Sequence, residues 1–299
     1  MQKIAVMGAG AVGSYFGGML ARSGADVTLI ARGRHLEALI RDGLILDSIK
    51  FRETIKVRAT DDPAGVSGAE LILFCVKTTG TAEAAKSIAP HLAPGALVVS
   101  MQNGVDNIEQ IRAASGIEAI PAVVYVAASL PEPGRVRHGG RGDLVLADSP
   151  QGAAVAKTFE PAGVPCRLTD NLAGEQWQKL IVNCAGNAVT ALGRVGYGPA
   201  ARNEYARLVM KEAAAECREV ARAAGITLPQ PGPHSTTVKD LEQYQPEVTS
   251  STAQDVAAHR RTEIDSLNGY IARLGKNLSV PTPVNRTLHA LVKLLEDSY

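Results

Sequence analysis

One helical segment carries three polar side chains that are suited to chemistry on a bound small molecule. Within EQWQKLIVNCAGN (residues 175–187), Lys179, Asn183 and Asn187 recur every four residues, which puts them on one face of a helix. Most of the neighbouring residues are apolar and favour burial. A lysine can donate a proton, and amides can donate hydrogen bonds to oxygen atoms. If this polar row of three side chains is enclosed, it predicts a substrate pocket. The alternative is a solvent-exposed polar face, although Asn, a weak helix former, is a poor choice for one.

The start of the chain predicts a dinucleotide site. The apolar run at residues 4–7 is followed by a turn and then a helical segment, and the turn reads Gly8-Ala9-Gly10-Ala11-Val12-Gly13. Strand, Gly-x-Gly-x-x-Gly and helix in this order are what a Rossmann dinucleotide turn requires, because the glycines permit a tight turn, close approach of a pyrophosphate and close helix packing. The phosphates would bind N–H groups at the helix N-terminus. A glycine-rich turn without a ligand is the alternative.

The residue after the second predicted strand, Asp26–Ile30, indicates which dinucleotide binds. NAD sites usually carry an acidic residue at this point, where it accepts a hydrogen bond from the ribose 2′-hydroxyl. This chain instead carries Arg32, with Arg34 close by. Because a planar guanidinium suits a 2′-phosphate, the sequence favours NADP(H). A solvated loop arginine is the alternative.

Two later strands also end in polar residues. Lys77 follows the run at residues 70–76, and Asn103 follows the run at residues 96–101. Open α/β sheets bind ligands beyond the carboxyl ends of their strands, so we expect both side chains at a cofactor cleft. A surface lysine and an ordinary Asn-Gly turn are the alternatives.

Two further polar segments lie in the C-terminal part of the chain. Residues 249–255 are typical of a helix start, where Ser251 and Gln254 fit a capping box and unpaired N–H groups would equally suit a substrate carboxylate. Glu263, in the segment RTEID (residues 261–265), fits ordinary helix ion pairs as well as a functional role.

Composition limits the classes of function. The 299 residues are 45% hydrophobic, which is enough for two cores, and 31 basic against 30 acidic residues leave a net charge of +1. This balance does not favour nucleic acid or membrane surfaces as partners. We expect no membrane span and no signal peptide, and therefore a cytoplasmic protein. Four scattered cysteines and six dispersed histidines predict free thiols and no metal site.

The order of elements predicts an α/β fold with two domains. We expect a Rossmann-type, mostly parallel sheet with helices over residues 1–168 and an all-helical domain over residues 169–299, with a cleft between them. The later strands are expected at 70–76, 96–101, 122–128 and 143–147, with a turn at 131–134 that ends the sheet in a hairpin. Helices are expected at 172–192, 199–224, 250–275 and 284–297, with a proline-containing loop at 228–236.

These motifs together resemble those of ketopantoate reductases, in the same order over essentially the whole chain. The resemblance rests on the glycine turn, Cys75-Val76-Lys77-Thr78, Gln102-Asn103-Gly104-Val105, the Lys-x-x-x-Asn-x-x-x-Asn row and Arg261-Thr262-Glu263-Ile264-Asp265. It implies an NADP-binding Rossmann domain, a helical domain and reduction of 2-dehydropantoate to pantoate in pantothenate biosynthesis. It allows a homodimer.

The resemblance also implies roles for individual residues. Lys179 matches the catalytic lysine. The substrate contacts matched are Asn103, Asn183, Asn187 and Ser251, and the positions matched at the cofactor are Lys77, Asn103, Ala128 and Glu263. These roles are chemically coherent, since a 2-oxo acid needs a hydride at C2, a proton for the alkoxide and donors for its carboxylate.

Two positions depart from the family pattern. Tyr197 stands where family members often carry a further substrate-contacting Asn, ten residues after Asn187, and Ala188 stands where a proline is expected. They leave open a second hypothesis, reduction of another branched 2-oxo acid. A third hypothesis is a non-catalytic NADP(H)-binding protein, which would have no need of Lys179 as a proton donor.

Overall fold

Two compact units make up the protein, Met1–Leu172 and Ala173–Tyr299. The structure is a computed structural model that describes residues 3–230, 237–243 and 248–299. Most of the proline-containing loop expected at 228–236 therefore lies outside the described residues. In the described ranges, no helix is both long enough and apolar enough to cross a membrane. The assignment of cofactor binding to the first unit and of substrate binding to the second stays a prediction.

The first unit contains every strand of the described residues. In chain order they are β1 Lys3–Met7, β2 Asp26–Ile30, β3 Leu44–Ser48, β4 Arg52–Ile55, β5 Arg58–Thr60, β6 Leu71–Phe74, β7 Leu97–Ser100, β8 Ile120–Pro121, β9 Val123–Glu132, β10 Arg135–Ala147 and β11 Cys166–Thr169. The α-helices of this unit are α1 Ala11–Arg22, α2 Gly33–Asp42, α3 Thr81–Ile88, α4 Asn107–Ser115 and α5 Pro150–Phe159.

The first sheet is parallel and has the order β5-β2-β1-β6-β7-β8. Its central strands are short and almost entirely buried, as expected for a parallel sheet with helices on both faces. The predicted fold class is thereby confirmed. Because β1, β2, β6 and β7 are adjacent and parallel, their carboxyl ends lie side by side at one edge.

The hairpin predicted to end this sheet belongs instead to a second sheet, so that expectation is wrong. Strand β9 pairs antiparallel with β10, and β10 pairs in parallel with both β3 and β11, while β4 adds to β3. The local pattern showed the turn at 131–134 but not the partners of β10. Its pairing with β3 joins residues about 90 positions apart, such as Arg135 with Ile45.

The described part of the second unit is helical and has no strand. Its α-helices are α6 Leu172–Gly193, α7 Tyr197–Arg202, α8 Glu204–Ala223, α9 Ser251–Ala257, α10 Asn268–Asn277 and α11 Pro283–Glu296. Helix α6 begins at the last residue of the first unit. An apolar cluster joins α6, α8 and α11, and its buried members are Ala188, Ala213, Ile264, Leu288 and Val292.

The single helix expected over 250–275 is wrong, because α9 ends at Ala257 and α10 begins at Asn268. Between them, His259 has a φ of 49° and a short 3-10 turn covers Ile264–Ser266. The Thr262 N–H donates to the Glu296 carboxylate at 2.8 Å instead of to a carbonyl one turn earlier. This long-range bond interrupts the helical ladder where the local sequence favours helix. The helix expected at 199–224 is likewise divided, since the Asn203 side chain caps α8.

Candidate functional site

The glycine turn lies at the carboxyl ends of β1 and β2. The Gly8 and Ala9 N–H groups both donate to the Ile30 carbonyl oxygen, at 3.3 and 2.9 Å, which anchors the turn to the last residue of β2. Gly8 has a φ of 98°, and a Cβ there would lie 2.8 Å from the Val76 nitrogen. The turn therefore touches the chain just before Lys77, and Gly8 leaves room for that contact.

The start of α1 has the features of an anion site. No side chain caps this helix, and its first turn has no acidic residue. A Cβ at Gly13 would lie 2.3 Å from the Gly8 oxygen, whereas a Cβ at Gly10 would meet nothing within 4 Å. Gly13 thus serves packing, and Gly10 leaves open space over the N–H groups of the first helical turn. A dinucleotide pyrophosphate fits this arrangement.

The two glycines should therefore respond differently to the same substitution. Gly13→Ala forces the turn apart, so we expect a loss of about 1–3 kcal/mol in the free energy of unfolding. Gly10→Ala places a methyl group in open space at an ordinary φ of −73° and should leave stability nearly unchanged. It should nevertheless weaken NADPH binding by about tenfold or more, because the methyl group stands where the pyrophosphate approaches.

Urea unfolding and fluorescence titration of NADPH measure the two effects. Equal stability losses in the two variants would contradict the packing argument. Unchanged NADPH affinity in Gly10→Ala would contradict the pyrophosphate site.

Arg32 directly precedes α2 and is exposed to solvent. His35, which no sequence pattern indicated, holds this region to the glycine turn. Its Nδ1 accepts from the Gly134 N–H at 2.9 Å, and its Nε2 lies 3.2 Å from Oγ of Ser14, a hydroxyl that donates to the Ala9 carbonyl. Burial lowers the pKa of His35 against a smaller opposing effect of the Ala9 carbonyl. The Gly134 contact also requires a neutral imidazole, because Nδ1 can accept a hydrogen bond only when it carries no proton.

The turns that carry Lys77 and Asn103 are joined by a residue between them. The Gln102 side-chain amide donates to the Val76 carbonyl at 3.0 Å and to Thr81 Oγ1 at 2.7 Å, and its oxygen accepts from Ser100 at 3.0 Å. Lys77 itself is exposed and Asn103 half-buried. The structure thus places both predicted residues at the edge that carries the glycine turn. Gln102 was not among the predicted site residues, although its sequence signal is a polar residue directly after the apolar run at 96–101.

Ala128 lies in the other sheet of the first unit. It is half-buried in β9 and pairs with His138 of β10. Its role at the cofactor stays a prediction.

The predicted polar row lies on α6. Lys179 and Asn183 are half-buried and Asn187 is 2% exposed, while Leu180, Ile181 and Cys184 beside them are buried. The solvent-facing alternative is therefore wrong for Asn187. Its Oδ1 accepts a 2.6 Å hydrogen bond from the Tyr197 hydroxyl. Tyr197 is the position that departs from the ketopantoate reductase pattern in the sequence, and the fold brings its hydroxyl to this row.

The start of α9 meets the same part of α6. Ser250, and not Ser251, is the capping residue, since its Oγ accepts from the Ala253 N–H at 2.9 Å. The expected capping role of Ser251 is therefore wrong by one position. The Ser250 hydroxyl also donates to the Asn187 carbonyl at 3.3 Å. Ser251 is the exposed first residue of α9, next to the turn of α6 that carries Asn187.

Glu263 stands just before the 3-10 turn and is half-buried. Its neighbours in the RTEID segment hold that turn to α11. Thr262 donates to Glu296 through both its N–H and its hydroxyl, at 2.8 and 2.6 Å, while Asp265 pairs with His289 and Lys293 at 2.7 and 3.1 Å.

Two carboxylates in these contacts, Glu296 and Asp265, have lowered pKa values. Burial raises the pKa of Glu296, but hydrogen bonds from Lys293 and Thr262 outweigh burial and leave that pKa below its ordinary value. Burial also raises the pKa of Asp265, but the hydrogen bonds with His289 and Lys293 outweigh burial and leave that pKa below its ordinary value. Thr262 and Asp265, which lie on either side of Glu263 in the sequence, thus both have structural partners in α11.

Glu296→Ala should destabilise the second unit. The substitution leaves the Thr262 N–H and hydroxyl without their acceptor in a buried place, which costs about 1–3 kcal/mol. Glu219→Ala is the matched control, because Glu219 forms an exposed pair with Arg222 on α8, and its loss should change stability by less than about 0.5 kcal/mol. Urea unfolding of both variants is the measurement, and similar losses in the two would contradict the assignment.

Other reactive groups give no second candidate centre in the described ranges. All four cysteines are free, and burial raises the pKa of the Cys75 and Cys184 thiols, which disfavours their thiolates. Among the residues that the structure describes, no three His, Cys, Asp or Glu side chains are grouped as metal ligands would be.

Comparison with known proteins identifies the family. Residues 4–151 match the family model "Ketopantoate reductase PanE/ApbA", and residues 171–296 match its C-terminal counterpart. A 2-dehydropantoate 2-reductase of Pyrococcus horikoshii is 36% identical over 98% of this chain and 97% of its own length.

Solved structures agree with this match. A PanE/ApbA family ketopantoate reductase from Ralstonia eutropha JMP134 superposes with a TM-score of 0.93 and 48% identity, covering 99% of both chains. A D-mandelate dehydrogenase in complex with NADH and anilino(oxo)acetate superposes with a TM-score of 0.90 and 27% identity, again over 99% of both chains. The chain therefore belongs to the ketopantoate reductase family of oxidoreductases.

Proposed function

We propose that this protein reduces 2-dehydropantoate to pantoate with NADPH, as a step of pantothenate biosynthesis. That it is an oxidoreductase with a nicotinamide cofactor follows from its family and from relatives that include an NADH complex. The observation that carries the finer proposal is the row on α6, where a half-buried lysine precedes two amides on one helix face.

The residues of the first unit fit an NADP(H) molecule. The uncapped start of α1 and the open space at Gly10 suit a diphosphate, and exposed Arg32 beside the turn suits a 2′-phosphate. Lys77 and Asn103 at the neighbouring turns would lie toward the nicotinamide. NADPH, when bound, supplies the hydride to C2 of the acid.

The polar row supplies what the hydride transfer needs from the protein. Lys179 donates a proton to the oxygen at C2 as it becomes an alkoxide, so that one hydride and one proton complete the reduction. Asn183, Asn187 and Ser251 donate hydrogen bonds to oxygen atoms of the substrate. Glu263 takes part in binding the cofactor. A crystal structure with NADP⁺ and a 2-oxo acid would test these contacts residue by residue.

A second candidate function is reduction of another 2-oxo acid by the same chemistry. Two observations favour it: a Tyr197 side chain hydrogen-bonded to the row, and the superposition with a dehydrogenase of D-mandelate, an aromatic 2-hydroxy acid. A non-catalytic NADP(H)-binding role is disfavoured by Lys179. Cytoplasmic localisation and a homodimer stay predictions, for cell fractionation and light scattering to test.

NADPH oxidation across a panel of 2-oxo acids tests the proposal. The panel contains 2-dehydropantoate, 3-methyl-2-oxobutanoate and phenylglyoxylate, and the product is identified by mass spectrometry. We expect the highest kcat/KM for 2-dehydropantoate. A higher value for another acid would establish the second candidate, and no oxidation with any acid would contradict both.

Ser251→Ala should act mainly through substrate binding. A contact with the carboxylate exists before and during hydride transfer, so we expect KM to rise about two- to tenfold with little change in kcat. Ser250→Ala is the comparison, because loss of the cap should cost about 1 kcal/mol of stability. Steady-state kinetics and thermal unfolding separate the two, and a fall in kcat alone for Ser251→Ala would contradict the assignment.

A further inference from the structure

We propose that Tyr197 is a positioning residue, which orients the Asn187 amide so that its NH₂ group is presented to an acceptor oxygen of the substrate. The inference rests on the proposed function, since it assigns Asn187 to the substrate, but it holds for any 2-oxo acid.

Tyr197 is built into the second unit next to α6. Its N–H donates to the Val248 carbonyl at 3.0 Å at the start of α7. Its ring lies against Gly186, where a Cβ would come within 2.8 Å of the ring carbon Cε1. Glycine is unfavourable inside a helix, and at this position it makes the room that the ring occupies. The phenol is therefore held against α6 by its ring as well as by its hydroxyl.

The hydroxyl determines what Asn187 can offer. It donates to Asn187 Oδ1 at 2.6 Å, and the side chain of Asn187 is almost fully enclosed. The backbone of the same residue is also held, because its carbonyl accepts from Thr190 at 2.9 Å and from Ser250 at 3.3 Å. The oxygen and nitrogen of a primary amide point in different directions from one carbon. Fixing the oxygen on Tyr197 therefore fixes the NH₂ group away from it.

A chemical consequence follows for the ligand. With its oxygen engaged, the Asn187 amide acts as a donor, so this subsite takes a carboxylate or keto oxygen, both of which a 2-oxo acid has. Family members often carry a substrate-contacting Asn at this position. In this chain, Tyr197 has no amide and acts through Asn187 instead.

Two substitutions separate orientation from packing. Tyr197→Phe keeps the ring beside Gly186 and removes only the hydroxyl, while Asn187→Asp keeps an acceptor for that hydroxyl but replaces NH₂ by an oxygen. Calorimetry with NADP⁺ present gives the Kd of 2-dehydropantoate, of 3-methyl-2-oxobutanoate and of phenylglyoxylate. For the acid that binds most tightly, we expect Tyr197→Phe to raise Kd about two- to tenfold. Asn187→Asp should raise it more than tenfold, because a carboxylate then faces an acceptor oxygen.

A double-mutant cycle shows whether Tyr197 acts through Asn187. In an Asn187→Ala background, Tyr197→Phe should have no further effect on Kd, and the affinity for NADP⁺ should be unchanged throughout. Tyr205→Phe, at an exposed position of α8, is the control and should change nothing.

The outcomes distinguish this inference from the proposed function. Equal effects of Tyr197→Phe in both backgrounds, or undiminished binding by Asn187→Asp, would overturn the inference alone. Binding with the expected coupling but without NADPH oxidation would support the inference and overturn the proposed function. Failure of all three acids to bind the unmutated protein would overturn the inference, whatever the kinetics show.

Discussion

Lys179→Ala lowers turnover of the best 2-oxo acid by about 10²–10⁴-fold, the usual contribution of a general acid, and this is the largest effect we expect. The proton donor acts as charge develops on the oxygen at C2, so kcat and kcat/KM should fall together. In the proposed mechanism, the glycine turn and Arg32 bind NADPH and Lys179 acts on the substrate oxygen, so NADPH affinity should be retained.

Stopped-flow and steady-state NADPH oxidation measure this effect, with Tm and the Kd of NADPH measured on the same samples. Lys211→Ala, at an exposed position of α8, is the matched control and should behave like the unmutated protein. Near-normal turnover in Lys179→Ala would remove the lysine from the mechanism. The row on α6 would then have a role in packing or binding only.

Arg32→Ala abolishes most of a preference for NADPH over NADH that we expect to be about ten- to a hundredfold. A charge-assisted hydrogen bond contributes about 1.5–3 kcal/mol, and only NADPH has the 2′-phosphate that would receive it. Arg32 is exposed and directly precedes α2, at the end of the strand next to the glycine turn. The loss should therefore fall on NADPH affinity and leave NADH affinity nearly unchanged.

Fluorescence titration of both nucleotides gives the two affinities. Arg41→Ala is the control, because Arg41 lies in the last turn of α2 and pairs with Asp42. Equal affinities for NADPH and NADH in the unmutated protein would contradict the choice of NADP(H). A preference that persists in Arg32→Ala would assign the 2′-phosphate to another residue.

Several elements could be predicted because their signals are local. Strand β2 has the bounds that its apolar pattern predicted, Asp26–Ile30, and α6 spans the segment in which polar residues recur every four positions. The glycine turn was equally clear, since close contacts with neighbouring chain segments require glycine at Gly8 and Gly13. Candidate residues on these elements could therefore be named before their surroundings were known.

Other features could not be predicted because each depends on a partner far away in the chain. Thr262 ends a stretch of favourable helix sequence by bonding to Glu296, 34 residues later. Ser250 rather than Ser251 caps α9, a difference of one residue that the pattern of polar residues does not resolve. The pairing of β10 with β3 likewise needs two segments that no local period connects.

By itself, the sequence determined the parallel sheet behind the glycine turn, the helical second half and the row of Lys179, Asn183 and Asn187, because periodicity and glycine sterics act over a few residues. Only the tertiary structure decided that a second sheet takes the hairpin, that Gln102 joins two turns, and that Tyr197 bonds to Asn187. The physical reason is that a buried polar group must find a partner, and the folded chain, not the neighbouring sequence, supplies it.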